Sequence, residues 1–221
     1  MQVFDGLVEV VRRLREPDGC PWDREQTFSS LLPHILEEAY ELAESLRESD
    51  LSAMREELGD VLFHVVMLSG MAKEMGVFGI LDVVEDVTEK MIRRHPHVFS
   101  DAEISTVSEV WENWERIKKE EKKDTGIYAS IPKALPSLMR AHKVLKRAER
   151  NGSVFSDVSL ELQKLKQLCD QDNLLVLKES IGDMLFSIVN IARQLGVDSE
   201  EVLKQKTSDF IEAGSSCSTL G

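Results

Sequence analysis

The sequence predicts an all-α protein in which two related repeats of antiparallel helical hairpins form bundles that are completed by dimerisation. Apolar residues recur at three- and four-residue intervals along most of the 221 residues, a spacing that is typical of amphipathic helices. The chain has only six prolines, and Leu, Glu, Lys, Arg and Ala dominate long stretches. The segment GDVLF at residues 59–63 returns as GDMLF at 182–186, which indicates the repeat.

Charge and cysteine content exclude several classes of protein. A net charge of −13 leaves no excess of cations to neutralise phosphates, so we expect neither a nucleic-acid polymer nor an anionic membrane as a partner. The three cysteines are far apart and suggest neither a disulfide framework nor a zinc motif. No stretch approaches the length of a transmembrane helix, and the first residues lack the apolar core of a signal peptide. We therefore expect a cytoplasmic protein.

The first repeat is predicted to span residues 1–123 and to form the catalytic domain. A helix of about a dozen residues opens it and ends at the Pro- and Gly-containing segment 15–19, before a compact loop at 20–27. Two amphipathic helices then flank the polar dipeptide Ser49-Asp50, and so short a connection makes an antiparallel hairpin. The remaining predicted elements are a helix over 80–94, a loop at 95–97 and a helix over 107–123.

A charged stretch at 119–125, followed by Gly126, Pro132 and Pro136, predicts the domain boundary. We expect a linker at 124–136, a degenerate second repeat at 137–213 that is structural, and a disordered tail at 214–221.

Four carboxylates are predicted to converge at one level of the first hairpin. Glu38 and Glu41 lie one turn apart on its first helix, and Glu57 and Asp60 lie one turn apart on its second. The midpoint of Glu41 and Glu57 is position 49, as is that of Glu38 and Asp60, so antiparallel pairing places both pairs at the same height. Like charges at a partly desolvated site repel by roughly 1 to 4 kcal/mol per pair. A hard cation would relieve this repulsion, Mg²⁺ first and Mn²⁺ or Ca²⁺ after it; the alternative is a solvated, Glu-rich helical face.

Two further pairs share a helix face at four-residue spacing, Lys90 with Arg94 and Trp114 with Lys118. As a site, they would offer cations for phosphate and an aromatic plane for a base. The alternative is ordinary helix chemistry, in which basic residues complement the helix dipole and Trp fills a core.

The second hairpin is predicted to repeat the fold without the site. Counting back from Asp183 by the same intervals gives Ser180, Lys164 and Glu161. Lys164 stands in place of Glu41 and Ser180 in place of Glu57, so we do not expect this hairpin to hold a divalent metal in the same way. Its expected role is core packing and assembly of a homodimer, because such short hairpins present more apolar surface than one copy can cover.

Several segments together resemble the MazG family, in the all-α nucleoside triphosphate pyrophosphohydrolase superfamily. The acids at 37, 38 and 41, followed at a hairpin's distance by those at 57 and 60, are similar to the signature of the family. Other similar segments follow in the family's order: CPWDREQT at 20–27, EELGDVLFHVV at 56–66, RRHPHVF at 93–99, WENWERIKKEEK at 111–122 and IPKALPSLMRAHKVLKRA at 131–148.

The resemblance implies hydrolysis of ribo- and deoxyribonucleoside triphosphates between the α and β phosphates, which gives a monophosphate and pyrophosphate. It implies Mg²⁺, with Mn²⁺ as a possible substitute, held by Glu38, Glu41, Glu57 and Asp60. The implied catalytic set adds Glu37 and Glu56, nearby acids that assist the cluster or position water. The implied substrate-binding residues are Lys90, Arg94, Trp114 and Lys118. In some two-domain members the C-terminal repeat is the active one, whereas here the N-terminal repeat carries the complete acid set.

Two other classes of protein compete with this interpretation. A ferritin-like di-metal oxidoreductase normally adds Glu-x-x-His pairs, and no His in this chain has an acid three residues before it. A non-catalytic helical dimerisation or scaffold protein is the alternative that stays open. The sequence does not set base or sugar preference, the cellular target among damaged, excess and signalling nucleotides, the number of metals per site, or residual activity in the second repeat.

Overall fold

The computed structural model describes residues 2–100, 105–121, 126–169 and 174–217, and every regular element in these ranges is an α-helix. The prediction of an all-α protein is therefore confirmed. The chain divides into two compact units, Met1–Glu121 and Lys122–Gly221. No helix that the structure describes combines the length and the apolar composition needed to cross a membrane.

The first unit is built around the two long helices of the predicted hairpin. α3 runs antiparallel to α4, and α1 and α5 also pack on α4, while α7 packs on α5. The core lies between α1, α3 and α4 and contains Val11, Leu31, Val66, Met67 and Met71. The helices of this unit are α1 (Gln2–Leu14), α2 (Pro21–Glu25), α3 (Phe28–Glu48), α4 (Leu51–Glu74), α5 (Ile80–Arg94), α6 (Pro96–Phe99) and α7 (Val107–Glu121).

The turn between α3 and α4 is as short as the sequence predicts. Ser49 ends α3 in the left-handed conformation, with a φ of 57°, which stops the helix and reverses the chain. Asp50 then caps α4, because its carboxylate accepts hydrogen bonds from the backbone N–H groups of Ser52 and Ala53. These two adjacent residues set the register of the hairpin.

Two stretches that the sequence predicts as loops are short helices. Residues 20–27 contain α2, and the predicted loop at 95–97 begins α6. Both helices start with a proline, Pro21 and Pro96, at the first helical position. A proline costs nothing there, because the first N–H groups of a helix have no partner within the helix and the fixed φ of proline suits it. Proline at these two places therefore starts a helix, where the sequence prediction expected a loop.

The second unit repeats the packing order of the first. α8 packs on α10 as α1 packs on α4, α9 and α10 form a hairpin, and α11 contacts α10 and α8. Its buried apolar residues include Leu145, Ala148 and Val189. The helices of this unit are α8 (Ser137–Arg150), α9 (Val158–Cys169), α10 (Leu174–Gln194) and α11 (Ser199–Cys217).

The two hairpins end alike. α4 has 24 residues and α10 has 21. Each is followed by a glycine in the left-handed region, Gly76 with a φ of 72° and Gly196 with a φ of 71°. Side-chain-bearing residues rarely adopt this conformation, so glycine is favoured at both ends. The shared order and ends are consistent with the predicted repeat.

The segments at the predicted boundary and tail are partly described. Arg147 on α8 donates hydrogen bonds to the carbonyl of Ile127 and the hydroxyl of Ser130, and Ile131 is buried, so residues 126–131 of the predicted linker belong to the second unit. α11 extends to Cys217, and residues 218–221 of the predicted tail lie outside the described residues.

Candidate active site

Three carboxylates meet between α3 and α4. One oxygen each of Glu38, Glu41 and Glu57 lies within 4.8 Å of the other two. Glu38 and Glu41 are one turn apart on α3, and the two-residue turn at Ser49-Asp50 brings Glu57 on α4 to the same height. The side chains of Glu38 and Glu57 are half-buried and that of Glu41 is exposed. The site therefore opens to solvent on one side.

Glu57 is the member of this group that most needs a partner. Its Oε2 is shielded from solvent and finds no hydrogen-bond donor in the part of the chain that the structure describes. Burial raises the pKa of Glu57 above its usual 4.5, and the negative charges of Glu41, Glu38, Asp60 and Glu56 raise it further. Ionised Glu57 is thus destabilised both by desolvation and by its neighbours.

The other predicted acids surround this group of three. Asp60 is exposed on α4 one turn beyond Glu57, close enough to act on its pKa but outside the group whose oxygens approach within 4.8 Å. Glu37 and Glu56 are exposed on α3 and α4. The structure therefore brings three of the four predicted ligands together and places the fourth at the edge of the site.

The three acids fit a hard divalent cation. Every donor is a carboxylate oxygen, which is the ligand type that Mg²⁺ and Mn²⁺ prefer. A cation among them would give the buried Glu57 Oε2 a partner, and its charge would offset the repulsion that raises the pKa of that carboxyl.

Sequence reasoning missed two histidines beside the acids. His64 on α4 is only 8% exposed, and its Nε2 lies 3.9 Å from Glu38 Oε1. His34 on α3 lies nearly parallel to it, at 6.5 Å between ring centroids, and also contacts Trp22 edge-on. The missed signal is spacing, because His34 is four residues before Glu38 and His64 is four residues after Asp60.

Two of the predicted substrate-binding residues come together where the end of α5 lies against the middle of α7. The guanidinium of Arg94 lies 5.3 Å from the ring centroid of Trp114, a cation–π arrangement. Lys118 is 3.8 Å from the carboxylate of Glu115, and Lys90 is half-buried on α5. The pairing of Arg94 with Trp114 across two helices is a contact that spacing along one helix could not predict.

Arg94 also has a carboxylate partner that sequence reasoning missed. Its guanidinium donates two hydrogen bonds to Glu121 at the end of α7, and Arg93 donates to the other oxygen of the same carboxylate at 2.8 Å. These bonds, Arg94 first, hold the pKa of Glu121 at about 2. Glu121 thus fixes the position of the Arg94 side chain between two helices.

This ion pair predicts a pH dependence of stability. A carboxyl with a lowered pKa stabilises the folded state above its unfolded pKa of about 4.5, and the contribution is lost as the pH falls toward about 2. We expect Glu121→Gln to lower the melting temperature at neutral pH by a few degrees and the difference from wild type to shrink across this window. The control is Glu120→Gln, whose partner Arg116 is exposed. The same dependence of melting temperature on pH in both variants would contradict the prediction.

The second hairpin shows no comparable acid group among the described residues. Glu161 is buried and Asp183 is exposed on α10, while the side chains of Lys164 and Ser180 lie outside the described ones. The prediction that this repeat lacks the site stays a prediction for those two positions.

Comparison with known proteins identifies the family. A model described as MazG nucleotide pyrophosphohydrolase domain matches residues 26–99, which contain the acid group. A nucleoside triphosphate pyrophosphohydrolase of Escherichia coli K12 is 38% identical over 226 residues, with 95% of this chain and 85% of that protein covered. A protein of Thermotoga maritima described as nucleoside triphosphate pyrophosphohydrolase/pyrophosphatase MazG is 41% identical over 219 residues, with 95% and 83% covered.

A crystal structure of a mazG-related protein from Thermotoga maritima, 29% identical, aligns with 52% of this chain and 98% of its own at a TM-score of 0.44. The resemblance noted in the sequence is confirmed by the two relatives, which match nearly the whole chain and most of their own length. The chain therefore belongs to the MazG family of nucleoside triphosphate pyrophosphohydrolases.

Proposed function

We propose that this enzyme hydrolyses ribo- and deoxyribonucleoside triphosphates between the α and β phosphates, giving a monophosphate and pyrophosphate, in a reaction that requires Mg²⁺ or Mn²⁺. Membership of the family makes the chain a hydrolase of phosphoanhydrides, and it favours an enzyme over the non-catalytic scaffold. The metal requirement and the bond cleaved are the proposal. The observation that carries it is the group Glu38, Glu41 and Glu57, with one buried carboxylate oxygen that has no partner among the described residues.

Glu38, Glu41, Glu57 and Asp60 are the residues that would hold the metal. When bound, the metal supplies charge neutralisation on the phosphate oxygens and a lower pKa of a bound water. The exposed acids Glu37 and Glu56 sit next to Glu38 and Glu57 along the chain. We assign to them the orientation of water and the removal of its proton, because a carboxylate at the solvent edge of the site can accept a proton and release it.

The bond changes are those of a simple hydrolysis. A water oxygen forms a new bond to the α phosphorus. The bond from this phosphorus to the oxygen that bridges the α and β phosphates breaks, and pyrophosphate leaves with that electron pair. Lys90, Arg94 and Lys118 would place positive charge where negative charge builds up on the oxygens. Trp114 would offer an aromatic face to the base.

Arg94 is constrained in this role by Glu121. The guanidinium is planar and offers five N–H donors, of which Glu121 takes two. A phosphate oxygen would therefore share Arg94 with Glu121, which keeps the guanidinium oriented over Trp114.

We also propose that the enzyme is a homodimer. Both hairpins leave the same apolar face uncovered, because Leu58, Leu62 and Val65 on α4 and their counterparts Ile181, Leu185 and Ile188 on α10 are each between 38% and 55% exposed. A contiguous apolar face on a monomer is typical of an interface between proteins. The recurrence of this face in both units supports a second copy of the chain as the partner.

Dimerisation can be tested with a charge on this face. We expect Leu62→Glu to shift the enzyme from dimer to monomer at micromolar concentration, as measured by light scattering after size-exclusion chromatography, because a buried charge without a partner is costly. The control is Val3→Glu, a change at a 90% exposed position on α1. A monomeric wild type would refute the proposal.

Product analysis tests the proposed reaction. Purified enzyme is incubated with Mg²⁺ and several ribo- and deoxyribonucleoside triphosphates, and monophosphate plus pyrophosphate is separated from diphosphate plus phosphate. We expect the first pair of products alone, and none after chelation of the metal. Diphosphate and phosphate would contradict the bond assignment, and turnover that survives chelation would contradict the metal requirement.

A further inference from the structure

The acid group does not explain why the imidazole of His64 is buried. The imidazole is buried on α4, yet its Nδ1 has no hydrogen-bond partner among the described residues. The other nitrogen, Nε2, faces Glu38 Oε1 at 3.9 Å, longer than a hydrogen bond. Burying polar atoms without partners costs stability, so a buried imidazole in this state needs a reason.

The surroundings of His64 fix the plane of its ring. Phe63 contacts it edge-on, at 5.7 Å between ring centroids and 64° between planes, and His34 lies nearly parallel to it at 10°. Aromatic neighbours of this kind restrict rotation of the ring without satisfying its nitrogens. The direction of Nε2 toward Glu38 is therefore set by packing.

Glu38 is the residue that a donor in this position would serve. It belongs to the group of three acids, and a carboxylate that binds a metal through one oxygen commonly has its outer oxygen held by a hydrogen bond. A neutral imidazole that carries its proton on Nε2 can donate such a bond. The 3.9 Å separation would shorten by about 1 Å when this bond forms.

We propose that His64 is a positioning residue for Glu38: its Nε2–H holds Glu38 Oε1 and so orients this carboxylate for the metal. This inference rests on the proposed function, because it assumes that the acid group binds a cation. It gives the buried imidazole a purpose that core packing alone would not, since an apolar side chain would fill the same space without unpaired polar atoms.

The test uses Mn²⁺ alone as the probe, with the full-length chain. Titration followed by the paramagnetic resonance signal of free Mn²⁺ gives the dissociation constant without turnover. We expect His64→Leu to weaken Mn²⁺ binding by about 10-fold or more. His64→Gln should restore most of the affinity, because its amide nitrogen reaches the place of Nε2, whereas His64→Asn places its amide near Nδ1 and should not.

A kinetic measurement distinguishes positioning from general damage to the fold. We expect His64→Leu to raise the Mg²⁺ concentration that gives half-maximal rate, with a much smaller change in kcat at saturating Mg²⁺. Val66→Ala removes buried packing on the same helix without removing a donor or a ring contact of His64, and it should keep the wild-type affinity for Mn²⁺. If His64→Leu does not fold, the contrast between His64→Gln and His64→Asn carries the test.

Several results would overturn the proposal. Wild-type affinity in His64→Leu, equal loss in the Gln and Asn variants, or equal loss in Val66→Ala would each reduce His64 to a packing residue. The comparison with Glu57→Gln separates this failure from that of the proposed function. Normal binding in all His64 variants with binding lost in Glu57→Gln defeats the His64 role alone, whereas a wild type that binds no Mn²⁺ defeats both.

Discussion

Glu41→Gln is expected to lower kcat by at least about 10²- to 10³-fold while the helical signal in circular dichroism stays unchanged. The substitution keeps the size of the side chain but removes a negative charge from the group in which Glu41, Glu38 and Glu57 approach within 4.8 Å. An amide is a much poorer ligand for a hard cation than a carboxylate. Because Glu41 is exposed, the loss cannot come from the core. Steady-state release of pyrophosphate measures the effect, and Asp60→Asn is expected to act in the same direction.

Two matched controls give this result its meaning. Glu44→Gln makes the same chemical change at an exposed position one turn further along α3, outside the acid group, and should leave kcat unchanged. Glu161→Gln makes it in the second hairpin and should leave turnover essentially unaffected, although Glu161 is buried and its loss can lower stability. Full activity in Glu41→Gln would remove the metal assignment, and a large kinetic loss in Glu161→Gln would show that the second repeat is not purely structural.

Mg²⁺ is expected to raise the melting temperature of the wild type, and Glu57→Gln is expected to abolish the rise. A ligand at about 100 times its Kd stabilises a folded protein by about 2.7 kcal/mol, which corresponds to roughly 5 °C or more for a chain of this size. Without metal, the Glu57→Gln variant should have a higher melting temperature than the wild type. Glu57 has a raised pKa, so its ionised form disfavours the folded state, and Glu57→Gln should melt higher than the metal-free wild type at neutral pH.

The sign of this second effect can be checked by pH. Stability that depends on a carboxyl with a raised pKa is greatest when the carboxyl is protonated, and it is lost as the pH rises from about 4.5 through the raised pKa. In the presence of a chelator, the difference in melting temperature between Glu57→Gln and the wild type should therefore disappear as the pH falls toward 4.5. A Glu57→Gln variant that melts below the metal-free wild type at neutral pH would show that the carboxylate has a partner which the described residues do not reveal.

The class of fold and the central hairpin could be predicted from the sequence because they depend on patterns along the chain. Apolar spacing identifies α3 and α4, and the polar pair Ser49-Asp50 identifies the turn between them. Mirror counting from that turn then brings Glu41 and Glu57 together, as the structure shows. These inferences succeed because helix geometry converts sequence distance into height along one axis.

The parts that the sequence did not predict depend on contacts between helices that no single periodicity describes. Mirror counting gives height but not the direction of a side chain, so it could not show that Asp60 lies at the edge of the acid group. The pairing of Arg94 with Glu121 joins residues 27 positions apart on α5 and α7. The sequence indicated no role for His64, because its burial and its approach to Glu38 depend on how α4 packs against α3.

The two-residue turn between α3 and α4 makes the site sensitive to chain length as well as to chemistry. The acid group draws Glu38 and Glu41 from one helix and Glu57 from the other, and only Ser49 and Asp50 connect the two. One residue inserted within either helix between Glu41 and Glu57 would turn the acids beyond it by about 100° around the helix axis and shift them by about 1.5 Å along it. All the carboxylates would survive such an insertion, and yet Glu57 would face another direction. A homologue with an added helical residue in this stretch is therefore expected to place its acids at compensating positions.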